Sequence, residues 1–462
     1  MTLPAKFVER VLRDLGGTEG AALCAALDAE PPVSVRLNPA KTGADTLPAG
    51  PDAGLPVPEA AGLPALAIAG RVPWSRDGRY LAVRPSFTLD PDFHAGAYYV
   101  QEASSQFVGH LLAAVRTEGA RILDLCAAPG GKTTLYASLA GPGGLVVANE
   151  IDRRRAAVLA DNVRKWGTGN VAVTTCEPRM LGDFEAWFDI VAVDAPCSGE
   201  GMFRKDPDAR GEWSEGNVKQ CAARQDEILR EAWRALKPGG TLVYSTCTFN
   251  RDEDEGALER MAAWAGDEIA ESEETAVEDA WGIVCGRVGA FRTFRFYPHR
   301  TCGEGFFAAV ARKSFDAGGR VRAPKARRTV FAAVDRKTAG ELARWVRNPG
   351  GMRFAAVADT CYAWYAAQAD AVRTLSEALP VIYSGVALGQ VFKGVLKPDP
   401  ALAFFDGLNR GALHAAELDD EETLRFLRRQ DIAAGGLAEG MNLVCSRGRA
   451  LGFAKRIGAR VN

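Results

Sequence analysis

What the chain lacks narrows its class first. Its 462 residues contain no run of 18 or more apolar residues, so no membrane-spanning helix and no membrane partner are expected. The opening Met1-Thr2-Leu3-Pro4-Ala5-Lys6-Phe7 has neither the long apolar run nor the small-residue cleavage site of a secretory signal, which makes the cytoplasm the expected location. The ten cysteines never stand two or three residues apart, so the C-x-x-C pairs of a structural zinc site are missing. A chain this long needs no disulfide framework. Four histidines scattered at 94, 110, 299 and 414 do not suggest a metal site either, and no metal is expected. A cysteine with a task is then a reactive thiol rather than a ligand, while most of the ten read as small buried hydrophobes.

Net charge is also small. A value of −2 argues against indiscriminate binding to polyanions, but it hides segregation. Residues 252–279 hold twelve Asp/Glu against one Arg. Residues 312–347 hold eleven Lys/Arg against three Asp/Glu, and 440–462 hold five basic residues and no acid. A charge run is ordinarily a solvated face, yet two basic segments in one chain suit a phosphate backbone.

What is present is mostly an alternation of short apolar runs and helical patterns. Residues 1–28 have helical spacing (Phe7, Val8, Val11, Leu12, Leu15), and Val33–Asn38 reads as a strand ended by Pro39. Residues 40–70 read as irregular connection, and 98–102 as strand-like before a helical stretch to about 116. From 121 the pattern becomes βαβ, with strands at 121–126, 145–150, 171–175, 189–194 and 241–246 and helices from 132, at 152–166 and at 217–236. This predicts an α/β fold with a doubly wound, mostly parallel sheet. Residues 291–297 and 306–312 are expected to close it as an antiparallel pair. Beyond the basic stretch 320–328 the texture changes to accessory modules, with helices near 335–348 and 419–430 and short strands near 381–395 and 441–453.

Three motifs carry chemistry. Cys126-Ala127-Ala128-Pro129-Gly130-Gly131-Lys132-Thr133 follows a strand and opens a helix, where glycines let a ligand approach backbone N–H groups. It is not a phosphate loop, which needs glycine where Cys126 stands, nor a G-x-G-x-x-G fingerprint. Glu150, at the end of the next strand, can accept hydrogen bonds from ribose hydroxyls, or it can be a plain capping acid. Asp194-Ala195-Pro196-Cys197-Ser198-Gly199-Glu200-Gly201 and Tyr244-Ser245-Thr246-Cys247-Thr248 each set a cysteine at the same edge of the sheet, the edge where open α/β folds bind ligands. One such cysteine is usually structural; two at that edge look like a paired-thiol site.

These runs resemble the NOL1/NOP2/Sun family of RNA cytosine-5 methyltransferases, over about residues 30–312. Phe203-Arg204-Lys205-Asp206 and the basic C-terminal extension are most similar to the bacterial RsmF-type 16S rRNA methyltransferases. The resemblance implies a Rossmann-like methyltransferase core at 116–313, an N-terminal α/β extension at 1–115, a basic linker at 314–330, and a C-terminal α+β region at 331–462. In that group the last region includes a PUA-like RNA-binding module, whose end Gly452-Phe453-Ala454-Lys455-Arg456 suggests.

It implies S-adenosylmethionine held by residues 126–132 (Cys126, Ala127, Ala128, Pro129, Gly130, Gly131, Lys132), Glu150, Asp194 and Glu177; many relatives carry Asp at the last position. It implies Cys247 as the thiolate that adds at cytosine C6, because C5 is a poor nucleophile until the ring becomes an enamine. Cys197 would assist release, Asp194 would hold the amine and N3 edge, and Lys132 would line the substrate side and favour a neighbouring thiolate. Tyr99, Gln101 and Glu102 match a run near the pocket without a stated role. The base must leave its stack to reach the thiol, which favours single-stranded or remodelled RNA; the resemblance implies 16S rRNA or the small subunit as that partner, with a monomer expected. DNA cytosine-5 methyltransferases are the nearest rival chemistry, but they use the Pro-Cys cysteine and need no second thiol. A tRNA-modifying relative, or a non-catalytic RNA-binding or ribosome-assembly protein of the same fold, would also carry much of this pattern.

Overall fold

A computed structural model describes residues 2–43 and 63–461. Its centre is a ten-stranded sheet. Five parallel strands run in the order Leu236–Thr246, Phe188–Asp194, Arg121–Asp124, Leu145–Asn149, Val171–Thr174. Both faces are covered, so these strands read as continuous apolar runs such as Leu145-Val146-Val147-Ala148, each at most 1% exposed. Each such Val or Leu contributes about 1.5–3 kcal/mol by leaving water. Phe306–Lys313 adds antiparallel to Leu236–Thr246, then Phe291–Phe296 and Val284–Val288 follow, so the expected closing pair is present.

The chain starts in the middle of this sheet at Arg121–Asp124. It builds outward one way, then returns to the other side of the same strand at Phe188–Asp194. That switch point leaves a crevice at the C-terminal strand ends. The covering helices are capped where their sequences suggest. Asp152 accepts from the N–H groups of Arg154 and Arg155 to start Arg153–Trp166, and Gly167, at φ +86°, ends it. Ser214 caps Glu215–Ala235 through the Asn217 N–H. The adjoining strand begins directly at Leu236, earlier than the apolar run alone indicates.

The N-terminal part has helices Ala5–Leu15 and Gly17–Ala26 and a four-stranded antiparallel sheet, Ile68–Arg71, Gly78–Leu81, Val33–Leu37, Tyr98–Tyr99. The expected irregular connection at 40–70 lies outside the described residues over 44–62. The strand expected over 98–102 stops at Tyr99. Glu102 turns the chain by accepting from the N–H groups of Ser104, Ser105 and Glu304.

Beyond the core come a five-stranded sheet (Ala332–Ala333, Met352–Val357, Thr360–Tyr365, Val386–Phe392, Val395–Pro398) and a four-stranded one (His414–Glu417, Gly440–Ser446, Arg449–Ile457, Arg460–Val461). Two expectations change here. Val381–Ser384, grouped by sequence with the accessory modules, pairs antiparallel with Val171–Thr174 and extends the central sheet. The basic run at 440–462 is largely engaged inward. Arg447 and Arg449 pair with Asp92 at 3.1 and 2.8 Å, tying this sheet to the N-terminal part. Arg456 donates to the Ala434 and Leu437 carbonyls. No helix among the described residues is long and apolar enough to cross a membrane.

Candidate active site

Asp194 and Ser245 are register partners at the ends of neighbouring parallel strands. The Ser245 hydroxyl donates to Asp194 Oδ1 at 2.7 Å, and the Ala195 N–H donates to the Ser245 carbonyl at 2.8 Å. The two chains leave the sheet together from this clamp, and each carries a cysteine two or three residues on. The Cys197 and Cys247 sulfurs lie 3.3 Å apart. Their hydrogen bond and burial, with the Cys247 and Glu253 charges, push the Cys197 thiol well up.

Lys132, on the helix Gly131–Ala140, reaches the same edge. Its ammonium is 2.8 Å from Asp194 Oδ2 and sits over the Phe306 ring. Burial pulls this ammonium down, but the charge and hydrogen bond of Asp194, with Cys247 and Asp124, more than offset it and leave Lys132 above its ordinary value. A lysine that stays charged beside a thiol favours the thiolate.

The turn before that helix fits a nucleoside-bearing cofactor. Gly130 has φ +113°, a conformation that a side chain disfavours, and a Cβ at Gly131 would touch Tyr99 and Gln101 at 3.4 and 3.5 Å. The helix presents its first N–H groups there. Arg155 and Asn162 hold the turn through the Ala128 and Pro129 carbonyls. Asp124, at the strand end, accepts from the Thr133 hydroxyl at 2.6 Å through Oδ2, while its buried Oδ1 has no partner among the described residues. Burial pushes the Asp124 carboxyl up to about 7, against the Thr133 bond. Burial and the acids around it also push the Cys126 thiol up, so Cys126 is a neutral member of the turn.

Glu150 is buried, bound to the Asp152 N–H and 3.3 Å from Arg155. Glu177 is exposed at the end of the third strand, and its side chain caps no helix. The structure therefore brings together Cys197, Cys247, Asp194 and Lys132, with residues 126–131 on the same edge. Among the described residues no side-chain hydrogen bond or ion pair joins Glu177 to that cluster.

Three further groups are not singled out by the sequence. Arg36, from the N-terminal sheet, donates to Gln101 Oε1 at 2.7 Å, the Thr134 hydroxyl at 2.6 Å and the Gly131 carbonyl at 3.1 Å, with its guanidinium carbon 4.5 Å from the centre of the Trp166 ring. Glu200 and Glu253 are buried behind the thiols. No spacing marks Arg36; Glu200 lies inside the Pro-Cys motif without a role of its own, and Glu253 lies inside an acidic run that reads as solvated.

Comparison with known proteins agrees across the chain. Residues 111–312 match the family model of 16S rRNA methyltransferase RsmB/F, 3–103 that of the N-terminal domain of 16S rRNA methyltransferase RsmF, and 414–462 that of the methyltransferase RsmF PUA domain. Ribosomal RNA small subunit methyltransferase F of Shewanella loihica is 31% identical over 84% of this chain and 81% of its own length. The chain belongs to the RsmF family. The same-named protein of an Enterobacter species is 36% identical over 53% of this chain and 51% of its own. A solved methyltransferase homologue from Pyrococcus horikoshii, 27% identical, superposes with a TM-score of 0.54 over 67% of this chain and 94% of its own. The RsmF PUA match coincides with the four-stranded C-terminal sheet, and the RsmB/F match contains every residue of the thiol edge. The fold is a Rossmann-like methyltransferase core with a C-terminal PUA domain, and the methyl donor is S-adenosylmethionine.

Proposed function

We propose that this RsmF-family protein methylates carbon 5 of cytosine in 16S rRNA with Cys247 as the covalent nucleophile. The supporting observation is the sulfur–sulfur contact of 3.3 Å beside the Lys132–Asp194 pair. Bound at residues 126–132, with Glu150, Asp194 and Glu177 as its further partners, S-adenosylmethionine supplies an electrophilic methyl group. The Lys132 charge favours Cys247 as the thiolate, its sulfur bonds to C6 of the flipped base, and ring N3 takes up the proton that the thiol releases, to return it when the thiolate leaves. Electrons of the C5–C6 double bond shift into the ring and make C5 nucleophilic, with Asp194 holding the amine and N3 edge. After methylation the C5 proton passes to a base, the double bond reforms, and the C6–sulfur bond breaks to return the thiolate. Cys197, in contact with that sulfur, assists this release.

The four groups come from one chain, which supports a monomer as the working unit, and the PUA match supports RNA as the partner. No observation favours a non-catalytic role, since both thiols, the turn and the Lys–Asp pair are intact. Purified protein is expected to methylate 16S rRNA or the small subunit and not tRNA. Bisulfite sequencing of RNA from cells with and without the gene should lose a 16S signal; loss of a tRNA signal alone would rule out the rRNA assignment.

A further inference from the structure

Behind the sulfur pair lies a polar cluster that the chemistry above does not use. Glu253 is fully buried. Its Oε2 accepts from the Ser198 N–H at 2.9 Å and the Gln225 side-chain amide at 3.0 Å, and its Oε1 accepts from Asn250 Nδ2 at 2.7 Å. Both amide orientations are fixed by other partners. Asn250 Oδ1 accepts from the Glu253 N–H, and Gln225 Nε2 also donates to the Pro196 carbonyl. All three hydrogen-bond partners of the carboxyl are N–H donors, which favours its ionised form, while burial and the neighbouring Glu200 charge push the Glu253 carboxyl up. Glu200 completes the cluster from the other side. It accepts from the Thr248 hydroxyl, the Phe249 N–H and Trp213 Nε1. One carboxylate grips the residue after Cys197, and the other grips the residue after Cys247.

The charges around the two thiols are unequal. From the cofactor edge come Lys132 and Asp194, with Lys132 in electrostatic reach of Cys247. From behind come Glu253 and Glu200, and Glu253 is in reach of Cys197. The helix Glu215–Ala235 contributes Cys221, a neutral thiol pushed up to about 11 by burial and Glu253. Two sulfurs in contact strongly disfavour joint ionisation, so whichever side carries the positive charge decides which one ionises.

We propose that Glu253 is a positioning residue that assigns the two cysteines their roles. It seats Cys197 against Cys247 through the Ser198 N–H, and its charge keeps Cys197 protonated so that Cys247, on the Lys132 side, is the thiolate. The proposal rests on Cys247 being the nucleophile, and it explains why the first cysteine of the pair is not.

The test is iodoacetamide labelling of full-length protein without RNA, read cysteine by cysteine by peptide mass spectrometry from about pH 6 to about pH 10, the range around the free thiol value. In the parent protein Cys247 should label at least about tenfold faster than Cys197 near neutral pH. Glu253→Gln should speed Cys197 labelling about tenfold, with Cys247 changed less than about twofold. Glu253→Asp, which keeps the charge, should preserve the parent ratio. An unchanged Cys197 rate in Glu253→Gln overturns the proposal. So does a gain matched at Cys247 or at buried Cys445, which would signal loosened packing alone. Should the variants not fold, equal labelling of Cys197 and Cys247 in the parent overturns it. Methyl transfer by Cys247→Ala would instead sink the nucleophile assignment and leave the labelling comparison standing.

Discussion

Cys197 and Cys247 are fifty residues apart in sequence and 3.3 Å apart in space. Their strands, Phe188–Asp194 and Leu236–Thr246, are parallel neighbours held in register to the last residue by Asp194 and Ser245. Two thiols on independent loops would lose ordering entropy to meet; here the sheet has already fixed both exits.

Lys132 supports the thiolate through charge. Its value is raised, so the ammonium is fully present below about pH 10.4 and lost only as pH climbs through the folded-state value. Lys132→Gln should lower single-turnover methyl transfer at saturating S-adenosylmethionine by at least about a hundredfold. An unchanged rate would remove Lys132 from the reaction.

Asp124 makes the folded protein pH-sensitive. Its carboxyl is raised to about 7, so the folded state holds this proton more tightly than the unfolded chain. Stability from it is present below about pH 3.9 and is lost as pH rises toward 7, a few kcal/mol in all. Asp124→Asn can keep the Thr133 bond without the charge. Without cofactor it should match the parent near pH 4 and melt several degrees higher at pH 8, as scanning calorimetry would record.

Arg36 links the N-terminal sheet to the cofactor turn. Arg36→Ala removes donors to Gly131, Thr134 and Gln101. It should weaken S-adenosylmethionine binding about tenfold by calorimetry, with RNA affinity less affected. Equal cofactor affinity would mean the turn holds its shape without Arg36.

The PUA sheet can be removed with less damage than the whole region after the core. Because Val381–Ser384 belongs to the central sheet, a cut near 313 would strip a strand from the catalytic unit, whereas a cut before His414 spares it. The shorter truncation should lower RNA affinity at least about tenfold and keep cofactor affinity within about threefold. It does break the Arg447 and Arg449 pairs with Asp92, so a melting scan must accompany it.

The central strands were legible because sheets covered on both faces produce unbroken apolar runs, and the thiol edge was legible because strand ends mark the crevice. Val381–Ser384 was not. A four-residue strand carries no sign of its partner, which tertiary packing chooses. Charge runs misled for a related reason. Glu253 and Asp254 sit in the acidic stretch 252–279 yet are fully buried, and Arg447 and Arg449 sit in a basic stretch yet face Asp92. Sequence gives the count of charges; whether each meets water or a partner depends on which elements pack above it.

The most direct measurement is the fate of the covalent RNA complex in the two cysteine variants. Incubated with 16S rRNA and S-adenosylmethionine, Cys197→Ala should accumulate a denaturant-resistant protein–RNA band, and Cys247→Ala should give neither band nor methylated product. A band that survives loss of Cys247 but depends on Cys197 would reverse the two roles.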